Sequence, residues 1–131
     1  MKQRIEEAKK ILLDNRKNGY TLPTNNKLYP AQWNWDSAFI ALGYSYFNLD
    51  YALEEMETLL AGQWDDGMVP HILFHDNDTT YFPNHTTWKC GKNIPSSGIT
   101  QPPVIASILK IILGNQQINE GQNNRVFQII K

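Results

Sequence analysis

The sequence predicts an all-α fold in which helical hairpins form part of a ring with inner and outer layers. Four segments carry apolar residues at helical spacing, and a fifth begins near the end of the chain. Two of these helices are apolar on nearly every face, and they alternate with amphipathic helices. This alternation is typical of enclosed inner helices paired with half-exposed outer ones. About two hairpins are present, which is too few to close a ring.

The first predicted helix covers residues 2–18, with Ile5, Ala8 and Leu12 on one face and charged side chains on the other. Gly19 is expected to end this helix, because glycine is a common stop signal. An amphipathic helix is half-exposed, so this helix is expected to belong to the outer layer.

The second predicted helix spans residues 34–47 and is apolar on almost every side, which predicts a position enclosed by other helices. A short turn leads to Asp50, which is expected to cap a third helix over residues 51–64. The third helix is amphipathic, with Leu53 and Met56 on its apolar side. Its three glutamates are expected to face solvent: Glu54, Glu55 and Glu57.

Residues 65–99 have no helical period and are expected to form a long functional loop with short β segments. Asp65 and Asp66 precede Gly67, so we interpret them as turn residues and not as a pair of catalytic acids. The stretch MVPHILF at residues 68–74 is a candidate strand.

A fourth helix is predicted from Thr100 to Gly114, with Pro102 and Pro103 in its first turn, where a missing N–H costs least. Isoleucine and leucine cover most of its faces, which predicts a second enclosed helix. Another apolar-periodic segment begins at Val126. The 131 residues are enough for one domain and too few for two.

Composition excludes several classes of function. The charged fraction is 19%, below the roughly 25% of a typical soluble domain, so much of the surface is expected to be buried in something larger or to line a pocket. The net charge is −1 without a basic block, so no nucleic acid partner is expected. There is no long apolar run, so we expect no membrane partner and a cytoplasmic protein. The single cysteine, Cys90, allows no intrachain disulfide.

The segment YPAQWNWD at residues 29–36 is the strongest functional signal. Aromatic faces pack on the C–H face of a sugar ring and a carboxylate accepts hydrogen bonds from its hydroxyls, so Tyr29, Trp33 and Asp36 are candidate sugar contacts. Trp33 precedes the helix and can reach a cavity or pack in the core, whereas Trp35 is expected to pack in the core. The alternative for Asp36 is to offset the helix dipole.

Further candidates lie in the loop and at the start of the fourth helix. Gln101 can send its amide into the same cavity, or it is a solvated first-turn residue. Tyr81 and Trp88 can form a wall of the pocket or anchor the loop by burial. His71 and His75 would lie about 13 Å apart on a strand. No Cys or Glu completes a ligand set, so neither a metal nor a cofactor is expected.

Four sequence blocks together resemble the N-terminal part of a glycoside hydrolase catalytic domain. They are WNWD with AFIALG, LLAGQWDDGMVPHILF, YFPNHTTW and SSGITQPPVIA, in that order. The family is that of the mannosylglycerate and glucosylglycerate hydrolases, related to the α-glucosidases of glycoside hydrolase family 63. The resemblance covers essentially the whole chain. It implies a partial (α/α)6 toroid, with residues 1–131 as the N-terminal fragment of a catalytic barrel.

The resemblance also implies roles for individual residues. The sugar is expected at one end of the barrel, held by Tyr29, Trp33, Asp36 and Gln101, with Tyr81 as a looser assignment. The family's chemistry is inverting hydrolysis of an α-glycosidic bond by a general acid and a general base, ~6.5–9.5 Å apart. Both belong to downstream segments that this sequence does not contain. Asp36 is therefore expected to hold the substrate and not to act as the general acid.

Three hypotheses follow for the function. The first is a truncated α-glycosidase that is inactive alone, whose substrate class is a small α-glucoside or α-mannoside such as a glycosylglycerate. The next is one piece of a split enzyme, completed by the missing C-terminal part of the barrel. The last is a stand-alone helical module that binds a sugar or a protein partner without catalysis. The sequence does not distinguish glucose from mannose.

Overall fold

Helices dominate the computed structural model, which describes residues 1–24, 28–115 and 117–129. Its elements, in chain order, are α1 (Lys2–Asn15), β1 (Gln32–Trp33), α2 (Asn34–Ser45), α3 (Leu49–Leu60), β2 (Ile72–Leu73), α4 (His85–Trp88), α5 (Ile105–Asn115) and α6 (Glu120–Ile129). The prediction of an all-α fold with short β segments is confirmed. Within the described residues, no helix is long and apolar enough to cross a membrane.

Helix α2 is the centre of the packing, with α3 and α5 against two of its sides and α1 against a third. Two alanines of α2, Ala38 and Ala41, are fully buried, and their small side chains let the neighbouring helices approach closely. Helix α6 packs on α3. The buried core consists of Ala38, Ala41, Tyr44, Ala52, Met56, Leu59, Leu73, Ile108, Leu109 and Ile112.

The first helix ends at Asn15, three residues before the predicted end. Arg16 is extended and forms an isolated antiparallel bridge with Thr21, and Gly19 supplies the positive φ of 86° that the reversal between them needs. The Arg16 guanidinium pairs with Glu54 of α3. The chain therefore turns back towards α3 as soon as α1 ends.

The third helix begins earlier than predicted. Asn48 is its N-cap, and its side-chain oxygen accepts a hydrogen bond from the N–H of Tyr51 at 3.1 Å. The prediction that Asp50 is the cap is wrong, since Asp50 lies inside the first turn and pairs with Arg125 of α6. The helix ends at Leu60, before the predicted residue 64.

The three glutamates of α3 do not share one environment. Glu54 and Glu57 pair with arginines of other elements, as outward-facing residues can. The prediction that Glu55 faces solvent is wrong, because Glu55 is fully buried. Successive residues are about 100° apart on a helix, so Glu55 lies on the side of the buried Ala52 and Leu59.

Two helices that the sequence predicts to be enclosed each have an exposed side. Trp35 and Phe39 of α2 are 45% and 52% exposed, and Ile111 of α5 is 45% exposed. The expectation that Trp35 packs in the core is therefore wrong. Helical periodicity identifies apolar faces, but it does not show whether a neighbour covers them, and none of the described residues encloses these.

The segment before α5 also differs from the prediction. Helix α5 begins at Ile105 and not at Thr100, because two successive prolines favour extended backbone in the residue that precedes each of them. The helix continues through Gly114 to Asn115. Helix α6 begins at Glu120, before the predicted Val126.

The two-stranded sheet joins the aromatic segment to the long loop. Strands β1 and β2 are antiparallel, with Gln32 opposite Leu73 and Trp33 opposite Ile72. The strand predicted over residues 68–74 is thus only two residues long. The backbone N–H of Ser97 donates to Ile72 O at 3.1 Å, so the end of the loop adds a third segment beside the sheet. This arrangement brings the loop to the N-terminal end of α2.

Candidate functional site

A cavity of about 330 Å³ lies at the N-terminal end of α2. Its volume is at the lower end of the roughly 300–1,000 Å³ that small-molecule pockets occupy. Its lining residues come from the loop after α1, from β1 and α2, and from the segment before α5: Pro23, Thr24, Tyr29, Trp33, Trp35, Asp36 and Gln101. Four of the five residues predicted to contact a sugar therefore line one cavity.

Trp33 is the centre of an aromatic cluster beside this cavity. Its ring meets Tyr29, Tyr81 and His71 edge to face, with centroid distances of 5.0, 5.2 and 5.4 Å. Trp33 is only 8% exposed, and these contacts hold its ring in one orientation. Tyr81 also lies 6.0 Å from Tyr29, so the fifth predicted residue belongs to the same cluster.

Asn34 fixes the change of direction from β1 into α2. Its side-chain amide donates to Val69 O at 3.1 Å and to Pro70 O at 3.3 Å. Its backbone N–H donates to His71 O at 3.0 Å. Asn34 lies between Trp33 and Trp35 in the chain, so these bonds set where both indoles leave the backbone.

Asp36 lies in the first turn of α2 and is half-buried. Burial raises the pKa of its carboxyl, and hydrogen bonds from its own N–H and from Trp35 limit the rise. Among the described residues, it is the only carboxylate that lines the cavity. A lone carboxylate of this kind can accept hydrogen bonds from ligand hydroxyls, but it cannot supply both groups of an acid–base pair.

Gln101 reaches the cavity from an extended segment and not from a helix. Its side-chain Oε1 accepts a hydrogen bond from the backbone N–H of Trp35 at 3.1 Å. This N–H belongs to the first turn of α2, where backbone donors have no partner within the helix. The Nε2 group of Gln101 is then the one that can donate to a ligand.

His71 is part of the cluster, although the sequence analysis considered it only as a metal ligand. Its Nδ1 bonds to Ser97 Oγ at 2.5 Å, and its ring lies 6.0 Å from that of Trp88. Burial lowers the pKa of His71, which favours the neutral ring. A usable signal was its place in the GQWDDGMVPHI block. The described residues contain no group of three His, Cys, Asp or Glu suited to a metal ion.

A larger cavity than the one at α2 lies elsewhere. This apolar groove, of about 680 Å³, runs between α5 and the ends of α3 and α6, and it is lined by Asn34, Leu60, Gly67, Met68, Val69, Thr100, Pro103, Ile105, Ala106, Leu109, Lys110, Leu113 and Ile129. Most of these side chains have no group that could bond to a sugar hydroxyl. The smaller cavity at α2 is therefore the better candidate for a carbohydrate.

The fold is similar to solved structures of a glycoside hydrolase. The described fold matches 30% of the chain of a family 63 mannosylglycerate hydrolase from Thermus thermophilus, solved with glucose, with a TM-score of 0.78 and 36% identity over 95% of this chain. The same enzyme solved with Tris and D-glycerate matches with a TM-score of 0.85 and 38% identity, over 95% of this chain and 29% of the other. The fold is thus part of a helical toroid of the glycoside hydrolase class, as predicted.

The family follows from the sequence. The model of the mannosylglycerate hydrolase MGH1-like glycoside hydrolase domain matches residues 29–128. The chain belongs to this family. The mannosylglycerate hydrolase MGH2 of Selaginella moellendorffii is 47% identical over 112 residues, which are 85% of this chain and 23% of the relative. The chain therefore spans about a quarter of the length of the curated relatives it matches.

Proposed function

We propose that this chain supplies the sugar-holding wall of the −1 site of an α-glycosidase that acts on a small α-glucoside or α-mannoside such as a glycosylglycerate. The main support is the cavity in which Tyr29, Trp33, Asp36 and Gln101 meet. Further support comes from the similar enzyme of Thermus thermophilus, which was solved with glucose and with D-glycerate.

Each residue has a defined part in this proposal. The aromatic rings of Tyr29 and Trp33 offer surfaces for the C–H groups of the sugar. The Asp36 carboxylate accepts hydrogen bonds from two ring hydroxyls, and Gln101 Nε2 donates to a third oxygen. Tyr81, from the long loop, packs against Tyr29 and Trp33 and so supports the two aromatic contacts.

Hydrolysis needs more than this chain. Inversion at the sugar carbon requires a general acid and a general base on opposite faces of the bond, and the cavity has one carboxylate. Residues 1–131 then act as the N-terminal part of a barrel, and both catalytic carboxylates belong to the remaining part, which is the expected partner. The exposed Trp35 and Phe39 favour this over a stand-alone sugar-binding module, since they give the partner an apolar surface.

The test is ligand binding by the isolated chain. Titration calorimetry or ligand-detected NMR with glucose and D-glycerate should show weak, saturable binding, on the order of millimolar, because only part of the pocket is present. Asp36→Asn should weaken glucose binding by about tenfold or more, since the amide replaces one acceptor oxygen by a donor. The exposed Asp14→Asn on α1 is the matched control and should bind like the parent chain.

Two results would contradict the proposal. The first is an absence of saturable binding by the parent chain, and the second is equal binding by Asp36→Asn. Hydrolysis of glucosylglycerate and mannosylglycerate should be undetectable with the chain alone. Turnover that copurifies with the chain and is lost in Asp36→Asn would mean that the catalytic centre lies here, and it would refute the assignment of the acid and base to another part.

A further inference from the structure

The two residues of β1 serve opposite sides of the strand. Trp33 faces the aromatic cluster of the candidate site, whereas Gln32 points into the interior and is fully buried. A fully buried glutamine must bond its amide internally, because water does not reach it. The hydrogen bonds of Gln32 therefore determine how firmly β1, and with it Trp33, is held in place.

The side-chain amide of Gln32 forms three hydrogen bonds, all to groups outside β1. Its Nε2 donates to Glu55 Oε1 and to Glu55 O of α3, each at 3.1 Å. Its Oε1 is 2.7 Å from Nε2 of His75, which follows β2. The amide cannot turn over without losing these bonds, so β1 is fixed to α3 and to the loop after β2.

The same oxygen of Glu55 has a second donor. The hydroxyl of Ser37, in the first turn of α2, donates to Glu55 Oε1 at 2.6 Å. Ser37 is the neighbour of Asp36 in the chain, and Gln32 is the neighbour of Trp33. One carboxylate oxygen thus joins the residues adjacent to the two principal candidates for sugar contact.

A buried acid is a costly way to hold a core together. Glu55 is fully buried and has no ion pair with a Lys or Arg among the described residues. Thr21 lies near enough to lower the pKa of the Glu55 carboxyl, but within the described residues no donor reaches Oε2 with the geometry of a hydrogen bond. The neighbouring buried positions of α3 are apolar, such as Met56 and Leu59, and a residue of that kind would stabilise the core at least as well. Packing alone does not explain a carboxylate at position 55.

We propose that Glu55 is a positioning residue which, through Gln32 and Ser37, sets the relative placement of Trp33 and Asp36 for sugar binding. Glu55 does not line the cavity, so it acts without touching the ligand. The inference rests on the proposed function for its purpose, but the placement of Trp33 can be measured without a sugar.

The experiment compares three variants in the full chain. Glu55→Met removes both ties, Glu55→Gln keeps a side-chain oxygen that can accept from Ser37, and Glu54→Gln changes the neighbouring outward-facing glutamate as the control. Each is examined by thermal unfolding, by the 1H–15N resonance of the Trp33 indole, assigned with Trp33→Phe, and by glucose titration.

Glu55→Met is expected to unfold cooperatively, to shift or broaden the Trp33 indole resonance and to weaken glucose binding by about tenfold, because small misplacements of binding groups are costly. Glu55→Gln should restore most of both properties, and Glu54→Gln should leave both unchanged. A merely structural role for Glu55 would lower the unfolding temperature and leave the indole resonance of the folded protein in place.

An unchanged Trp33 resonance in folded Glu55→Met would overturn the proposal. Where the parent chain binds glucose, equal binding by folded Glu55→Met would also overturn it. If Glu55→Met does not fold, Ser37→Ala removes the tie to α2 alone and must still move the indole resonance or weaken glucose binding, and its failure to do either overturns the proposal. If the parent chain binds no glucose while Glu55→Met shifts the resonance, the proposed function fails and the positioning role stands.

Discussion

The buried carboxyl group of Glu55 makes the stability of the protein depend on pH. Burial raises its pKa, and the hydrogen bond from Ser37 offsets part of the rise. Its charge would also face two tyrosines, Tyr20 and Tyr44, whose own pKa values are raised mainly by burial and in part by Glu55. The folded state therefore prefers Glu55 protonated more strongly than the unfolded state does.

This preference predicts a pH-dependent stability. The contribution of protonated Glu55 is fully present below its unfolded pKa of about 4.3 and is lost as the pH rises through the higher folded pKa. Glu55→Gln has no such titration. The difference in unfolding free energy between Glu55→Gln and the parent chain should thus increase in favour of the variant from about pH 4 upwards. Urea unfolding at a series of pH values measures it, and parallel curves would contradict it.

Single residues differed in how far the sequence could predict them. The aromatic and acidic types in residues 29–36 predicted a sugar-contact surface, because such chemistry is local. The exposure of Trp35 and the burial of Glu55 could not be predicted, because both depend on which elements pack nearby. His71 was considered only as a possible ligand, since its contact with Trp33 joins two separate segments of the chain.

Helix α3 and strand β2 approach each other closely at Gly62, just after the end of α3. A Cβ at this position would lie 2.3 Å from Cδ2 of Leu73, so this fully buried side chain would have to shift within the packed core. Gly62→Ala should therefore destabilise the protein by about 1–3 kcal/mol through overpacking. Gly114→Ala is the control, since nothing lies within 4 Å of its added Cβ, and a slight gain from helix propensity is expected there.

Chemical denaturation of both glycine variants checks this prediction. A loss of stability that is equal in the two would show that the contact with Leu73 is not the cause. The same substitution should also disturb the sheet, because Leu73 is paired with Gln32 of β1.

Arg125 fastens α6 to α3. Its Nε and Nη2 donate to the two carboxylate oxygens of Glu57 at 2.7 and 2.8 Å, and its Nη1 donates to Asp50 at 3.0 Å. The two-pronged geometry makes this pair stronger than an ordinary surface ion pair. Partial exposure still limits the coupling energy between Arg125 and Glu57 to about 0.5–1 kcal/mol.

A double-mutant cycle with Arg125→Gln and Glu57→Gln measures this coupling from urea unfolding. Its value should fall in about 1 M salt, where charges are screened within a few ångström. A coupling of zero at low salt would show that α6 is held by its apolar contacts alone.

The elements were predicted better in type than in extent. Periodicity identified the regions of α1, α2, α3 and α5, because their apolar faces are packed in the core. The ends of these helices were harder to predict, because several neighbouring residues are equally suitable as caps. Asn48 and Asp50 are both residue types that commonly cap a helix, and Asn48 is the N-cap of α3 in the structure.

At the scale of the whole molecule, the low charged fraction and the apolar groove both reflect a surface that is poor in charged side chains. The sequence predicted that much surface would be covered, and the groove at α5 shows one place where it is bare. The surface at Trp35 and Phe39 is another. In the proposed toroid both surfaces would be covered, since a helix pair in a ring has a neighbour on each side.

The groove predicts binding of an apolar fluorescent dye such as ANS to the native chain. Leu113→Glu should reduce the fluorescence of the bound dye, because the charge enters the groove lining. Ile11→Glu on α1 is the matched control, since Ile11 is exposed and does not line the groove. Equal reductions in the two variants would mean that the dye binds somewhere other than the groove.

The oxygen of Glu55 that Gln32 and Ser37 share constrains how the sequence can evolve at these three positions. Positions 32, 37 and 55 depend on one acceptor, so the effect of replacing any one depends on the other two. A relative that loses the acid should also replace the glutamine and the serine, since each would otherwise keep an unpaired buried donor. We expect the three positions to covary across homologues, as one inherited unit rather than three.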